Sequence, residues 1–369
     1  MAFALNLYPV TYIARYNPET TKWSEEWLQA DKVTYDELMK MSEADRKTVL
    51  DKRNQMGIPT VSYTSQYAYG CFEGMKGFPT KDGGVAIFRP EENAKRFNNS
   101  MKGLYCPAFP VEQYVAASVE FVKRNAALGY VPKYNPDWEK SGYADADSIY
   151  MRPFMNSEGA IGIGCAKQPY VVICATTVSA YFKKGLDGAV ITNRIRATPN
   201  GTGYIKCASN YVISAIAKHE AEEKGYVECV YLDAEERKYF QEGSSCNIFF
   251  VLKDGTLVTP ELGDTILPGI TRKSVIALAK EQGIKVEERK ISVSEVQKKA
   301  VEFFVTGTAA GISPMTSLTD LEGNKTEFRD GTKEGTVAYQ LQHLLKGRQY
   351  GLLEDPNNWN TVVIPGKKQ

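Results

Sequence analysis

Apolar and polar positions follow two periods along this chain, and each change of period marks an element. In the first half, SIYMRPFM (148–155) and PYVVICATTVSAYF (169–182) are runs of β-branched and aromatic residues with strand character. The run at 85–89 is a strand that stops at Pro90. Beyond it Ala94, Phe97 and Met101 recur at helical spacing, so a helix starts at the proline. Residues 111–128 carry the same helical period, and EADRKTVLDKRN (43–54) reads as a solvated helix. The opening MAFALNLYPVTYIARYNPE lacks a basic n-region and meets Pro9, Arg15 and Pro18, which predicts an edge strand rather than a secretory signal. YNPDWEKSGYADAD (134–147) is a turn-rich insertion.

KKGLDG (183–188) has the composition of a hinge. After it come the strand AVITN and a helix over 211–224 with Tyr211, Val212, Ala215 and Ile216 on one apolar face. The strands VECVYLD, KYFQE, CNIFFVL and TLVTP follow, then the helix ITRKSVIALAKEQG, the strands KVEERKI and AVEFFVT, and a last helix in KEGTVAYQLQHLLKGRQYG. The tail IPGKKQ is expected to fray. The chain shows no internal repeat and no low-complexity segment. This pattern predicts a mixed α/β fold in two domains: 1–181, an interdomain loop at 182–190, and 191–369. The default ligand site of such a chain is the domain interface.

Composition narrows the function. With 369 residues, 43% hydrophobic and 24% charged, the chain reads as globular and is long enough for a large core. A net charge of +1 offers no basic field for nucleic acid, and no apolar run approaches a membrane span. Cys71, Cys106, Cys165, Cys174, Cys207, Cys229 and Cys246 are odd in number, scattered and without a CxxC pair. They argue against a disulfide framework or a zinc site and for a reducing, cytoplasmic setting. Only His219 and His343 occur, both in helical, solvated-looking stretches, so a Ser-His-Asp triad or a histidine metal centre is disfavoured. The chemistry then falls to Lys, Tyr, Glu or Arg, or to a bound cofactor.

Several segments offer such chemistry. LPGITR (267–272) places a Pro-Gly turn before a helix opened by Ile270 and Thr271. It is an anion site or simply a capped helix start. VTGTAAG (305–311) ends an apolar strand. Its Ala309 and Ala310 amides suit an oxyanion, and a plain tight turn is the alternative. Glu242 lies at a strand end in QEGSS, where a carboxylate suits a pyridine nitrogen or faces solvent. Arg96 is a phosphate partner or a surface arginine. Tyr150 and Arg152 alternate along one strand and share a face, which favours a carboxylate partner if that face is buried. GTGYIK (201–206) lacks the order of a Walker A loop, and GIGCAK (162–167) lacks the third glycine of a dinucleotide fingerprint, so a nicotinamide-dependent dehydrogenase is disfavoured. Lys206 with Tyr211, Glu242 and two small-residue turns suits pyridoxal phosphate, whose aldehyde forms a Schiff base with a lysine amine.

In order and spacing, FEGMK, RPEENAKR, YMRP, the Lys206–Tyr211 segment, QEGSSCNIF, LPGITR and TGTAA resemble the branched-chain amino-acid aminotransferases, fold-type IV pyridoxal phosphate enzymes. The resemblance runs from about residue 66 to 351 and is weakest over the first 60 residues. It implies two domains, with Lys206 in the C-terminal one as the Schiff-base lysine. It also implies ping-pong transfer of an amino group from L-leucine, L-isoleucine or L-valine to 2-oxoglutarate. By the same resemblance, Tyr211 bonds the cofactor's phenolic oxygen and Glu242 its ring nitrogen, while Arg96, Ile270, Thr271 and Thr308 hold its phosphate. Ala309 and Ala310 would take the substrate α-carboxylate, Arg152 and Tyr150 the glutamate γ-carboxylate. Tyr67, Phe72, Tyr150, Tyr181 and Ser245 would line the side-chain pocket. In relatives the Tyr67 position acts near a partner subunit's site, which implies a homodimer. Where some animal relatives carry a CxxC pair after the TGTA turn, this chain has Ala310 and Ser313, so no thiol switch is expected there. Rivals of the same fold are a D-amino-acid aminotransferase and a lyase acting on aminodeoxychorismate; YMRP and the aromatic pocket argue against both. A non-catalytic binding protein of this fold would not need the full set of motif residues.

Overall fold

The apolar runs of the first half pair into one antiparallel sheet. In the computed structural model, which describes residues 6–55, 57, 59–141, 143, 146–179 and 187–367, its strands are Val10–Asn17 (β1), Lys22–Trp23 (β2), Glu26–Gln29 (β3), Cys71–Phe72 (β4), Met75–Pro79 (β5), Val85–Phe88 (β6), Ser148–Asn156 (β7) and Tyr170–Val178 (β8), joined by a C-terminal strand, Asn360–Ile364. The order runs C-terminal strand, β6, β5, β7, β8, β1, β2, with β3 also on β1 and β4 on β7. β7 and β8 pair along their full length, from Ser148 opposite Val178 to Asn156 opposite Tyr170. The helix Pro90–Gly103 begins at its proline as predicted and buries Ala94, Phe97 and Met101. Val111–Ala126 buries Tyr114, Phe121 and Val122, and both helices share a core with Ile87, Ile149, Met151, Val171 and Ile173.

Two expectations change here. β1 is not an edge strand, because β8 pairs on one side of it and β2 and β3 on the other. The C-terminal segment is not simply frayed through Lys367, and 368–369 lie outside the described residues. Its β-branched run Thr361–Ile364 covers the outer side of β6, with Ile364 opposite Val85, and the Lys367 amide donates to the Asp82 carbonyl at 2.9 Å.

The second half builds Ala189–Ile191 (β9), Glu228–Leu232 (β10), Phe240–Gly243 (β11), Asn247–Leu252 (β12), Leu257–Thr259 (β13), Val286–Glu288 (β14), Ala300–Gly307 (β15), Gly311–Met315 (β16), Ser317–Thr319 (β17) and Lys325–Glu327 (β18). They form two five-stranded sheets, β11-β10-β9-β17-β18 and β14-β13-β12-β15-β16. Ile191, Val230, Phe240, Ile248, Phe250, Val258, Phe303, Val305 and Leu318 bring both sheets into one core. The mixed α/β class is as expected.

The helix Asn210–Glu223 reverses its predicted face. It buries Asn210, Ser214, Ala217 and Ala221, while Val212 and Ile216 are exposed. Small side chains let the helix lie close on β10, where Ala217 and Ala221 pack with Cys229 and Tyr231; hydropathy alone selects the wrong stripe. The helix Val337–Gln349 also departs from its solvated look, since Ala338, Leu341 and Leu345 are fully buried. No helix among the described residues is long and apolar enough to cross a membrane.

The chain divides into unit 1, comprising 1–180, 206–209 and 348–369, and unit 2, comprising 181–205 and 210–347. The four residues from Lys206 to Ser209 thus fall with unit 1, where a single cut at 182–190 assigns them to the C-terminal domain. Within that expected loop, 182–186 lie outside the described residues and Ala189 already belongs to β9, so the same limit holds for most of the hinge at 183–188.

Lys346, on the 337–349 helix, is buried with its stem against Gly311, and burial lowers its amine from 10.5 to about 8. Between these two values the unfolded chain binds a proton that the native chain does not. The cost of burying the amine is therefore complete below about pH 8 and is relieved as pH rises toward 10.5. Lys346→Met should stabilise the protein at pH 7 by about 1–3 kcal/mol in denaturant unfolding. The gain should fade by pH 10; no gain at pH 7 would contradict the burial cost.

Candidate active site

In unit 1 the lysine segment is held on both sides. The Lys206 carbonyl accepts from the Phe72 amide at 3.1 Å, and the Ala208 amide donates to the Gly70 carbonyl at 2.8 Å, framing a bridge between Cys71 and Cys207. The Lys206 amide donates to Ser100 Oγ at 2.9 Å. These bonds fix the backbone from which the side chain projects. Its Nζ lies 4.9 Å from the centre of the Phe72 ring. Burial, with the Arg96 charge second, lowers the amine from 10.5 to about 8; Glu73 opposes that shift. An amine in this state is partly neutral near physiological pH, as a nucleophile or proton carrier requires.

Arg96 is no surface arginine. Its Nε and Nη2 donate to Glu73 Oε1 and Oε2 at 2.8 and 2.7 Å, and both side chains are buried. Tyr150 and Arg152 share a face of β7 as their spacing predicts. Arg152 Nη2 donates to the Tyr150 hydroxyl at 2.9 Å, and the guanidinium lies 4.6 Å from the Phe72 ring centre. Gly74 leaves room for that hydroxyl, with which a Cβ there would collide. Unit 1 therefore brings together Lys206, Phe72, Arg96, Tyr150 and Arg152. Tyr67, at the end of the helix Tyr63–Tyr67, is exposed. Tyr181 lies outside the described residues.

Unit 2 gathers a second group around Asn247, the first residue of β12. Its Nδ2 donates to Glu242 Oε2 at 3.2 Å and to the Leu267 carbonyl at 3.0 Å. Across the sheet Asn247 sits opposite Thr306. Glu242 is buried and also receives the Leu267 amide at 3.2 Å and Arg196 Nη1 at 2.8 Å, both on Oε1. The helix Ile270–Glu281 starts at Gly269 with no side-chain cap and no acidic residue in its first turn, and Ile270 and Thr271 are buried there. Such a terminus presents backbone N–H groups and a positive dipole end. Thr308, Ala309 and Ala310 are the turn of the β15–β16 hairpin, closed by Gly307 opposite Gly311. Ser313 Oγ donates to the Ala310 carbonyl at 2.8 Å and so holds the turn. Ser245 is exposed beside Glu242, and Tyr211 is half-buried near the start of its helix. Among the described residues, the Ser244 and Thr306 hydroxyls in unit 2 and Arg152 Nε in unit 1 are buried without a hydrogen-bond partner.

A methyl group on Gly269 would collide with Asn247 Oδ1. Gly269→Ala should push Asn247 off Glu242 and Leu267, lowering stability by about 1–3 kcal/mol in denaturant unfolding. A melting temperature equal to the parent's would remove Asn247 from this role.

Glu73, Arg196 and Asn247 were not singled out from sequence, nor was Asn210, whose Nδ2 donates to the Thr202 and Ile205 carbonyls at 2.7 and 3.1 Å and so fastens the loop that leads into Lys206. The available signal was the charge and amide content of short motif segments bounded by apolar runs, which marks polar groups that need buried partners.

Residues 70–318 match the family model described as Amino-transferase class IV, and the chain belongs to that class, whose members are dependent on pyridoxal phosphate. It is 42% identical over 298 residues to branched-chain-amino-acid aminotransferase 3, chloroplastic, of Arabidopsis thaliana, covering 79% of this chain and 68% of that protein. To the probable branched-chain-amino-acid aminotransferase of Staphylococcus aureus strain N315 it is 38% identical over 311 residues, covering 80% and 81%. The crystal structure of the Escherichia coli branched-chain amino acid aminotransferase matches with a TM-score of 0.67 at 29% identity, over 83% of this chain and 94% of that one. Within the class, the chain's family is the branched-chain amino-acid aminotransferases, and it is an enzyme of that transaminase type.

Proposed function

We propose that this enzyme moves the amino group of L-leucine, L-isoleucine or L-valine to 2-oxoglutarate in two alternating half-reactions, with pyridoxal phosphate carried on Lys206. One observation carries the reading: unit 1 holds a buried lysine amine, lowered to about 8, over an aromatic ring that also contacts the Arg152–Tyr150 pair. The residues fit the cofactor by their chemistry, since the chain offers a partly neutral amine, a buried carboxylate, an acid-free helix N-terminus and buried hydroxyls lacking protein partners. When bound, pyridoxal phosphate supplies an aldehyde for the amine and a ring that withdraws electrons.

Lys206 then has two tasks. It would anchor the cofactor, and its Nζ would take and hold the proton from the substrate Cα. Glu242 would receive the ring N–H, and Tyr211 would donate to the phenolic oxygen. Ile270 and Thr271 at the helix N-terminus, Thr308 in the hairpin turn and Arg96, its plane fixed by Glu73, hold the phosphate. The Ala309 and Ala310 amides receive the α-carboxylate. Phe72, Tyr150, Tyr67 and Ser245 would line the side-chain pocket, and Arg152 would meet the glutamate γ-carboxylate; Tyr181, assigned to the same pocket by the resemblance, lies outside the described residues.

Tyr67 belongs to an exposed apolar patch of unit 1. Gln66 Nε2 donates to the Ala160 carbonyl at 2.8 Å, which ties the Tyr67 helix to the loop bearing exposed Ile161 and Ile163, with Val61 alongside. A patch of this kind favours cover by a second copy, and a homodimer is part of the proposal. Seven free thiols favour a reducing compartment such as the cytoplasm.

A panel of 2-oxo acids with glutamate as donor tests the substrate class. The three branched-chain 2-oxo acids should react within about tenfold of one another, because one methylene changes binding by only about 1–3 kcal/mol. Preference for pyruvate with a D-amino acid product would overturn the proposal in favour of the D-specific relatives.

A further inference from the structure

The Glu242 carboxylate does not stand alone, and its closest charged neighbour has no role in the reading above. Arg196 Nη1 lies 2.8 Å from Glu242 Oε1, and both side chains are almost wholly buried. The same guanidinium reaches two further segments of unit 2. Nη1 donates to the Thr265 carbonyl at 3.1 Å, in the run that leads into LPGITR, and Nη2 to the Gly203 carbonyl at 3.3 Å, in the loop that leads into Lys206. One buried cation thus joins the carboxylate, the approach to the helix N-terminus and the approach to the lysine.

We infer that Arg196 is a positioning residue for Glu242, holding its carboxylate charged and aimed so that a ring nitrogen meeting it keeps the shared proton. The inference rests on the proposed role of Glu242 as partner of the cofactor's ring nitrogen.

A carboxylate facing a pyridine nitrogen shares a single proton with it, which sits either on nitrogen, leaving two opposite charges, or on oxygen, leaving none. Away from water the neutral arrangement gains ground, because desolvation penalises both charges. A guanidinium in direct contact with the carboxylate stabilises the charged oxygen. It acts more weakly on a group that reaches it only through that carboxylate, since Coulomb energy falls with distance. The proton is thereby biased toward nitrogen, the state in which the ring withdraws electrons best. Asn247 and the Leu267 amide aim the carboxylate and favour its charged form through neutral hydrogen bonds, a weaker bias than that of a guanidinium. Arg196 also has the fixed fork that satisfies carboxylate and carbonyl oxygens together, a geometry lysine lacks.

The test uses the holoenzyme loaded with pyridoxal phosphate labelled with 15N in the ring, and apoprotein titrated with the cofactor. In the parent, the ring resonance should lie at the protonated position. Arg196→Gln keeps N–H donors but removes the charge. It should move the resonance toward the unprotonated position and raise the cofactor dissociation constant at least about tenfold. Arg196→Lys, which restores the charge, should recover most of the resonance shift. A purely structural role would weaken binding without moving the resonance, and an unmoved resonance in Arg196→Gln overturns the inference while leaving the proposed function intact. An unprotonated ring in the parent itself overturns the role of Glu242 and the inference with it. If Arg196→Gln does not fold, Arg196→Lys decides: a resonance at the parent position with other losses modest supports the charge as the essential element, and a fully unprotonated ring despite the restored charge refutes it.

Discussion

Lys206→Ala should lower leucine-to-2-oxoglutarate turnover by about 10^4-fold or more, because one substitution removes both the covalent anchor and the group that moves the Cα proton. The groups acting on its amine in unit 1 are Arg96, Glu73, Tyr150 and Arg152, and Arg96 and Glu73 are bonded to each other while Arg152 donates to Tyr150. The substitution has a second signature. Because burial lowers the amine to about 8, the apoprotein bears the cost of a buried ammonium below that pH and is relieved of it as pH rises toward 10.5. Lys206→Met, which keeps the apolar stem, should therefore leave an inactive apoprotein that is more stable than the parent at pH 7 and no more stable at pH 10. Near-normal turnover of leucine by either variant would end the assignment of Lys206.

The second large effect separates the two half-reactions. Arg152 bonds Tyr150 and lies against Phe72, so it presents one positive charge beside an aromatic surface. Leucine has no use for that charge, whereas the γ-carboxylate of glutamate does. A charge-assisted hydrogen bond contributes about 1.5–3 kcal/mol, which corresponds to roughly 10- to 150-fold. Arg152→Ala should cost that much in the glutamate half-reaction measured in single turnovers, and only a few-fold in the leucine half-reaction through lost packing on Phe72. Equal losses in both would assign Arg152 a structural role only.

Much of this was visible in the chain, for local reasons. The alternation of Tyr150 and Arg152 fixes a shared face whatever the rest of the fold does, and the structure gives them a hydrogen bond. Pro90 starts its helix because its φ is set and its missing N–H is not needed there. Gly269 marks a helix entrance, although its necessity comes from Asn247, 22 positions earlier in the chain.

What escaped the sequence depends on distant partners. Glu73 and Arg96 look like surface charges until they bury each other across 23 positions. The same holds for Arg196 and Glu242. The 210–223 helix misled because its buried stripe is built from Asn210, Ser214, Ala217 and Ala221, chosen for size rather than hydropathy, while its apolar residues Val212 and Ile216 face outward. The return of 206–209 to unit 1 is set by backbone bonds to Gly70, Phe72 and Ser100, which no periodicity announces.

Borohydride reduction followed by tryptic mass spectrometry reads out whether pyridoxal phosphate is carried on Lys206. Trypsin does not cleave at a modified lysine, so the phosphopyridoxyl mass should appear on the peptide from Ala197 to Lys218, uncut at Lys206. The mass on any other lysine, or its absence from protein purified and reduced with the cofactor present, would contradict the account.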